Sequence, residues 1–253
     1  MIERVAGGTR APVTDAVASE GPLEIRIGEV PLAVLLRTPG DDADLVRGFL
    51  FTEGGIGPAD ITAVNVAPAA ETIGDIAQVT TKASAEAVRA GLGRSMVALS
   101  ACGMCGKASL ASLRPLPAVF AEPRVAATVA LSLPGALRAS QAVFDETGGL
   151  HAAGLFDSAG MAMVVREDVG RHNAVDKVLG AVGPVPGDAI LCVSGRCGFE
   201  IVYKAAAAGI AVVVAVSAPT SLAIDFAERH RVTVCGFARG QRINIYTHPH
   251  RIA

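Results

Sequence analysis

Cys102-Gly-Met-Cys105 is the segment of this chain with the plainest capacity for chemistry. The thiolate is the nucleophile in sulfur chemistry, and a cysteine reaches that form when positive potential lowers its pKa. Lys107 follows closely, and Ala108 to Leu113 can start a short helix whose first turn adds to that potential. Gly103 and Gly106 leave the backbone free to expose both sulfurs. The spacing alone leaves three chemistries open: half a zinc site, a dithiol redox pair and a persulfide carrier. A structural zinc site needs a second ligand pair. Cys192 and Cys197 are close in sequence, but Cys192 lies in the apolar run Ile190-Leu-Cys-Val193, which reads as a buried strand. Cys192, Cys197 and Cys235 read as packed core cysteines, and no metal site is expected.

A second constellation is polar and able to bind anions. Six of the eight residues of Arg166-Glu-Asp-Val-Gly-Arg-His-Asn173 are polar or charged, in a chain otherwise poor in charge. Asp168 or Asn173 can cap the following helix, leaving Arg171 and His172 to face a ligand. Ser194-Gly-Arg196 and Ser217-Ala-Pro-Thr220-Ser221 sit at strand ends ahead of helices. Such turns lie at the carboxyl edge of a parallel sheet, where helix N-termini offer N–H groups to phosphate. Phe237-Ala238-Arg239-Gly240-Gln241-Arg242 adds two guanidinium groups able to clamp a diphosphate. Capping alone would account for Thr220 and Ser221, and a solvated basic tail for the last segment.

These residues need elements to position them. Residues 1–20 lack periodicity and read as a flexible tail. Residues 21–98 read as a small α+β domain: strands at 23–27, 31–37, 61–66 and 75–81, and a helix from Asp41 or Asp42 to Gly54. Residues 99–123 hold the cysteine loop and a Pro-rich linker. In residues 124–253, a helix over 133–146 precedes a hairpin of 151–156 with 161–166. Helices over 171–182, 199–208 and 221–229 then alternate with strands over 189–193, 211–216 and 232–235, and a strand over 242–247 closes the chain. That alternation predicts a largely parallel sheet covered by helices, so the fold class is mixed α/β.

The chain has 253 residues, 51% of them hydrophobic and 18% charged, enough apolar material for a core. A net charge of −2 argues against a nucleic-acid-binding protein. The most apolar stretch, Ala205 to Val216, is too short to span a bilayer, and no secretion signal is evident, so a cytoplasmic location is expected.

His151 and the cysteine pair invite comparison with zinc deaminases, whose signature is His-x-Glu followed by Pro-Cys-x-x-Cys. Here the sequence is His151-Ala-Ala153, without the glutamate, and the cysteines precede the histidine. The deaminase mechanism fails on those two counts, while the fold can persist. His151 is equally readable as a structural histidine.

Six segments together carry a more specific resemblance. They are 102–106, Thr147-Gly-Gly-Leu-His-Ala-Ala153, 166–177, 194–196, Ala215-Val-Ser-Ala-Pro-Thr-Ser-Leu-Ala223 and Gly236 to Arg242, in that order. The chain resembles the formate dehydrogenase accessory sulfurtransferase family from about residue 23 to its end. The resemblance implies a cytidine-deaminase-like three-layer C-terminal domain, a smaller N-terminal domain and a homodimer. It implies that sulfur passes from a cysteine desulfurase, as persulfide on Cys102 with Cys105 as companion, to a molybdenum or tungsten bis(molybdopterin guanine dinucleotide) cofactor that formate dehydrogenase requires. Phe237 to Arg242 would bind that cofactor, and a guanine nucleotide could mimic part of it. Holding the pterin cofactor without sulfur transfer is the alternative. Cys197 departs from the family pattern after Ser-Gly-Arg and is either a third reactive thiol or a buried one.

Overall fold

The computed structural model describes residues 1–70, 72–92 and 114–253. Cys102 and Cys105, and the helix expected from Ala108, lie outside the described residues.

Two sheets, each with its own apolar core, make up most of the molecule. The N-terminal sheet has the order β4-β3-β6-β5. Its strands are β3 (Gly21–Ile27), β4 (Val30–Arg37), β5 (Ile61–Pro68) and β6 (Asp75–Thr81). Leu23 and Ile25 alternate with more exposed neighbours along β3 and pack against α1 (Asp42–Thr52), which buries Leu45, Val46, Phe49 and Leu50. Helix α2 (Ala85–Leu92) adds Val88 and Leu92.

The C-terminal sheet has the order β12-β11-β10-β9-β7-β8. β9 (Ile190–Val193), β10 (Val212–Ala215) and β11 (Thr233–Arg239) run parallel. β7 (His151–Phe156), β8 (Ala162–Asp168) and β12 (Arg242–Ile245) run antiparallel to their neighbours. β9 and β10 are buried at every position, as strands covered on both faces must be. α3 (Ala127–Ala139) packs across β7, β9, β10 and β11, while α5 (Arg171–Val182), α6 (Phe199–Ala207) and α7 (Ser221–His230) form a contiguous second layer.

Helix α2 was not expected from the sequence, and the structure departs from the sequence reading in three further places. The expected tail carries a hairpin of β1 (Ile2–Ala6) and β2 (Thr9–Val13), turning on Gly7 and Gly8 at φ 57° and 81°. Its side chains are almost wholly exposed, so no apolar alternation announced it. The helix expected over 133–146 is two helices, α3 and α4 (Ala142–Thr147). The last turn of α3 tightens through Ser140 N–H to Leu137 O and Gln141 N–H to Arg138 O, and Gln141 leaves helical geometry at ψ 68°. The third departure is in the polar segment 166–173, where Asp168 and Asn173 bond to Thr38 and Leu36 of the N-terminal half and His172 is buried instead of facing a ligand.

There Lys177 Nζ, buried, meets Asp168 Oδ2 at 2.9 Å and the carbonyls of Thr38 and Glu167 at 2.9 and 3.2 Å. The other Asp168 oxygen accepts from Gly170 N–H and Asn173 Nδ2, and Asn173 Nδ2 also reaches Leu36 O. Asp176, the residue before Lys177, joins a second cluster in which Lys204 Nζ is shared by Asp176 Oδ2 at 3.0 Å, Glu53 Oε1 at 3.1 Å and Thr52 Oγ1 at 3.0 Å. Burial works against the Lys204 charge, and Asp176 and Glu53 outweigh it, holding the ammonium above its ordinary pKa. Beside this cluster α1 and α5 touch through glycines. A methyl group on Gly48 would stand 1.9 Å from the Asp176 carbonyl oxygen, and one on Gly180 1.9 Å from that of Asp44.

The C-terminal stretch is fastened separately. Glu122 accepts from Arg251 Nε and Nη2, both at 3.0 Å, and pairs with Arg231 and His250. Hydrogen bonds from Arg231, Arg251 and His250 hold the Glu122 carboxyl down at about 2.

Two outcomes follow from these contacts. Lys204→Met strands two buried carboxylates and should cost about 3–5 kcal/mol in urea denaturation at neutral pH. A loss below about 1 kcal/mol would show that the seam does not depend on this charge. For Glu122 the native state binds fewer protons than the unfolded chain between its ordinary value of 4.5 and about 2. The clasp therefore contributes fully above that window and fades as pH falls through it. Melting temperatures of wild type and Glu122→Gln should differ at neutral pH and converge on acidification.

Candidate functional site

A crevice of about 630 Å³ opens at the carboxyl edge of the parallel strands. Ser194 follows β9, Val216 follows β10, and Ala238, Arg239 and Gly240 end β11. His151 reaches the same edge because β7 runs antiparallel to β9, so its start lies beside β9's end. The opposite wall comes from the α3–α4 corner, with Arg138, Gln141 and Phe144, and from the Gly148-Gly149 turn.

The sheet-side wall is stiffened by an unusual continuation of backbone pairing. Beyond the strands, Val216 N–H donates to Val193 O at 3.1 Å, Cys197 N–H to Ala218 O at 3.1 Å, and Thr220 N–H to Cys197 O at 3.1 Å. The loops after β9 and β10 thus extend the ladder. Ser194 is pinned to β7, its Oγ accepting from Ala152 N–H at 2.9 Å and its N–H donating to Ala152 O at 3.0 Å.

Of the residues read from the sequence, the crevice gathers Ser194, Ala238, Arg239 and Gly240. Phe237 lies just behind, at φ 51°, where the β11–β12 register shifts between Gly236 and Arg239. The Arg239 guanidinium stands 5.8 Å from its ring centroid. Gln241 and Arg242 are exposed at the hairpin turn and do not line the crevice, although Arg242 pairs across from Arg239. Thr220 is the cap of α7, its Oγ1 accepting from Ala223 N–H, and Ser221 beside it is exposed, so the capping reading holds for this pair. Arg196 is exposed outside the crevice lining. Arg171 packs behind the wall, its Cδ 3.9 Å from where a side chain on Gly195 would begin. Arg171, Arg196, Arg239 and Arg242 form no ion pair with the described residues, so their charge is available to an anion.

His172 is buried, with neither ring nitrogen hydrogen-bonded, and its Nε2 lies 3.7 Å from Glu200 Oε2. Burial, reinforced by the Lys204 and Arg171 charges, lowers its pKa against the pull of Glu200. Burial and Arg171 lower that of His151 as well. Cys197 is wholly buried and its thiol is pushed up to about 12 by that burial, which makes it a core cysteine and removes it as a third reactive thiol. Among the described residues no three His, Cys, Asp or Glu side chains are grouped to hold a metal, and no helix is long and apolar enough to cross a membrane.

Sequence reasoning missed Arg138, Gln141, Phe144 and Val216 as lining residues. Gly148, Gly149, Leu150, His151 and Val216 carried a signal only through the family-like segments that contain them.

The FdhD/NarQ family model matches residues 18–253. The chain belongs to the FdhD/NarQ family. Its relatives in that family include proteins named sulfur carrier protein FdhD from several organisms. The one from Anaeromyxobacter dehalogenans is 48% identical, across 100% of this chain and 93% of its own length. The one from Streptomyces avermitilis is 44% identical across 99% and 93%. That from Sulfolobus acidocaldarius is 41% identical across 99% and 96%. A crystal structure described as a formate dehydrogenase accessory protein, from Desulfotalea psychrophila, superposes with a TM-score of 0.77 at 26% identity, covering 100% of this chain and 97% of that one. The mixed α/β architecture is thus that of an FdhD/NarQ protein.

The His172 environment makes a pH prediction for this family member. A depressed folded pKa means that the unfolded chain binds more protons just below the ordinary value of 6.5, so stability falls as pH drops through that window. In a proton NMR titration the His172 midpoint should lie below 6.5, and a midpoint above it would show the ring charged and paired in solution.

Proposed function

We propose that this protein is a sulfur carrier that loads persulfide on Cys102 and delivers the sulfur to a molybdenum or tungsten bis(molybdopterin guanine dinucleotide) destined for formate dehydrogenase. The observation that carries the cofactor half is the crevice: a large cavity at the carboxyl edge of the sheet, with Arg239 at its margin and Arg138, already paired with Asp145, on the wall across from it. A dinucleotide with two diphosphates suits such an edge, where guanidinium groups bind phosphate oxygens in pairs. The sulfur half is supported by the Cys102-Gly-Met-Cys105 motif and by the names of the relatives.

The chemistry balances without a further oxidant. The Cys102 thiolate attacks the outer sulfur of a cysteine desulfurase persulfide, and the donor cysteine leaves as thiolate. Cys102 then holds one extra sulfur. Attack by the Cys105 thiolate on the Cys102 Sγ forms a Cys102–Cys105 disulfide and expels the outer sulfur as sulfide, which takes up one proton. A dithiol reductant restores the pair. The crevice residues bind and orient the client; the desulfurase donates, formate dehydrogenase receives, and the carrier works in the cytoplasm as a homodimer.

Intact-mass analysis after incubation with a cysteine desulfurase and cysteine tests this reading. Wild type should gain about one sulfur atom, lost on thiol treatment, and Cys102→Ala should gain none. Wild type that gains nothing beside an active desulfurase would leave a cofactor-holding protein, with the cysteines incidental.

A further inference from the structure

The α3–α4 corner that the sequence did not announce places a buried carboxamide on the crevice wall. Gln141 is only 3% exposed and lines the crevice. Its backbone is fully engaged: the N–H donates to Arg138 O at 3.3 Å and the carbonyl accepts from Asp145 N–H at 3.0 Å. Its side chain has no hydrogen-bond partner among the described residues, and it does not cap α4. A buried carboxamide offers two donors and an acceptor, and leaving them unpaired costs stability unless a ligand uses them. Gln141 is also absent from the buried polar atoms that are sealed off, so what remains open of it is open to the crevice.

Its neighbours define what such a group would read. Phe144, half-buried on the same wall, carries the Arg138 guanidinium 4.9 Å from its ring centroid, and both residues line the cavity. An aromatic ring with a guanidinium against it is a stacking surface for a flat heterocycle. Arg239, exposed and without an acidic partner among the described residues, stands on the sheet-side wall of the same cavity. The crevice therefore has a flat apolar wall with one donor–acceptor group, and a cation on the wall facing it.

We infer that Gln141 is the specificity-determining residue of the crevice, making a two-point hydrogen bond to the edge of a nitrogen heterocycle stacked near Phe144 while Arg239 holds the attached phosphates. The edge that fits is one with an N–H beside a carbonyl or amine, as in the aminopyrimidinone ring shared by guanine and a pterin. This rests on the proposal that the crevice holds a pterin guanine dinucleotide, and it names the part of that ligand which the α3–α4 corner recognises.

Calorimetry on the full chain separates the two claims, with GDP and inorganic pyrophosphate as probes. Gln141→Met keeps the side-chain length and removes no hydrogen bond, so the fold should persist. It should weaken GDP about ten- to a hundred-fold and leave pyrophosphate unchanged. Arg239→Ala should weaken both. In wild type, a purine riboside 5′-diphosphate, whose base lacks the exocyclic oxygen and amine, should bind more weakly than GDP by a similar factor. That comparison needs no variant. GDP affinity unchanged in Gln141→Met, or equal wild-type affinity for the two diphosphates, would overturn the role of Gln141 while leaving the crevice as a nucleotide site. Wild type that binds neither GDP nor pyrophosphate would overturn the crevice reading and the role of Gln141 with it.

Discussion

Two buried ammonium groups hold this molecule in one piece. Lys177 and Lys204 are both buried, Lys177 among carboxylate and carbonyl oxygens and Lys204 among two carboxylates and a hydroxyl, drawn in each case from both halves of the chain. A buried charge tolerates only complete neutralisation, so these contacts form together or not at all. The glycine contacts of α1 with α5 remove the remaining freedom, because the helices already touch backbone to backbone. What this fixes is functional. α5 begins with Arg171 and His172, α6 begins beside Glu200, and both helix starts lie behind the loop from Ser194 to Gly198. The small N-terminal domain therefore acts as the mount on which that edge of the sheet is aligned.

Much of this was written in the sequence. The runs Ile190 to Val193 and Val212 to Ala215 are too short and too uniformly apolar for anything but strands covered on both faces, and the structure buries every residue of both. Placing Ser194 at the carboxyl edge followed from that alternation, whereas Arg239 was read only as part of a basic segment after the last parallel strand. The segment from Arg166 to Lys177 was misread for a physical reason. A cluster of charges looks the same in sequence whether it meets a ligand or another domain, because both surroundings demand paired ions and satisfied donors. Here Asp168, Asn173 and Lys177 turn toward Thr38 and Leu36, His172 is buried, and Arg171 packs behind the crevice wall.

The α3–α4 corner was illegible for a different reason. Leu133, Leu137 and Phe144 keep a spacing that a continuous helix would also give, and no glycine or proline stands at Ser140 or Gln141 to mark the break. The break comes from hydrogen bonds that tighten a helix end, which leave no compositional trace. Gln141, Arg138 and Phe144 could therefore be found only in three dimensions. The hairpin at residues 2–13 was hidden by its exposure, since a strand that buries neither face has no alternation to read.

The backbone ladder that runs on past β9 and β10 has a consequence for the energetics of recognition. Loops that bind ligands usually surrender conformational entropy when they close on them, and that loss is subtracted from the affinity. Here the residues from Val193 to Cys197 are already bonded to those from Val216 to Thr220 in the free protein. The sheet-side wall has thus met its ordering cost during folding, and association on that side resembles the docking of a rigid mould. Conformational adjustment is thereby left to the helical corner across the crevice, so the two walls differ in stiffness by construction.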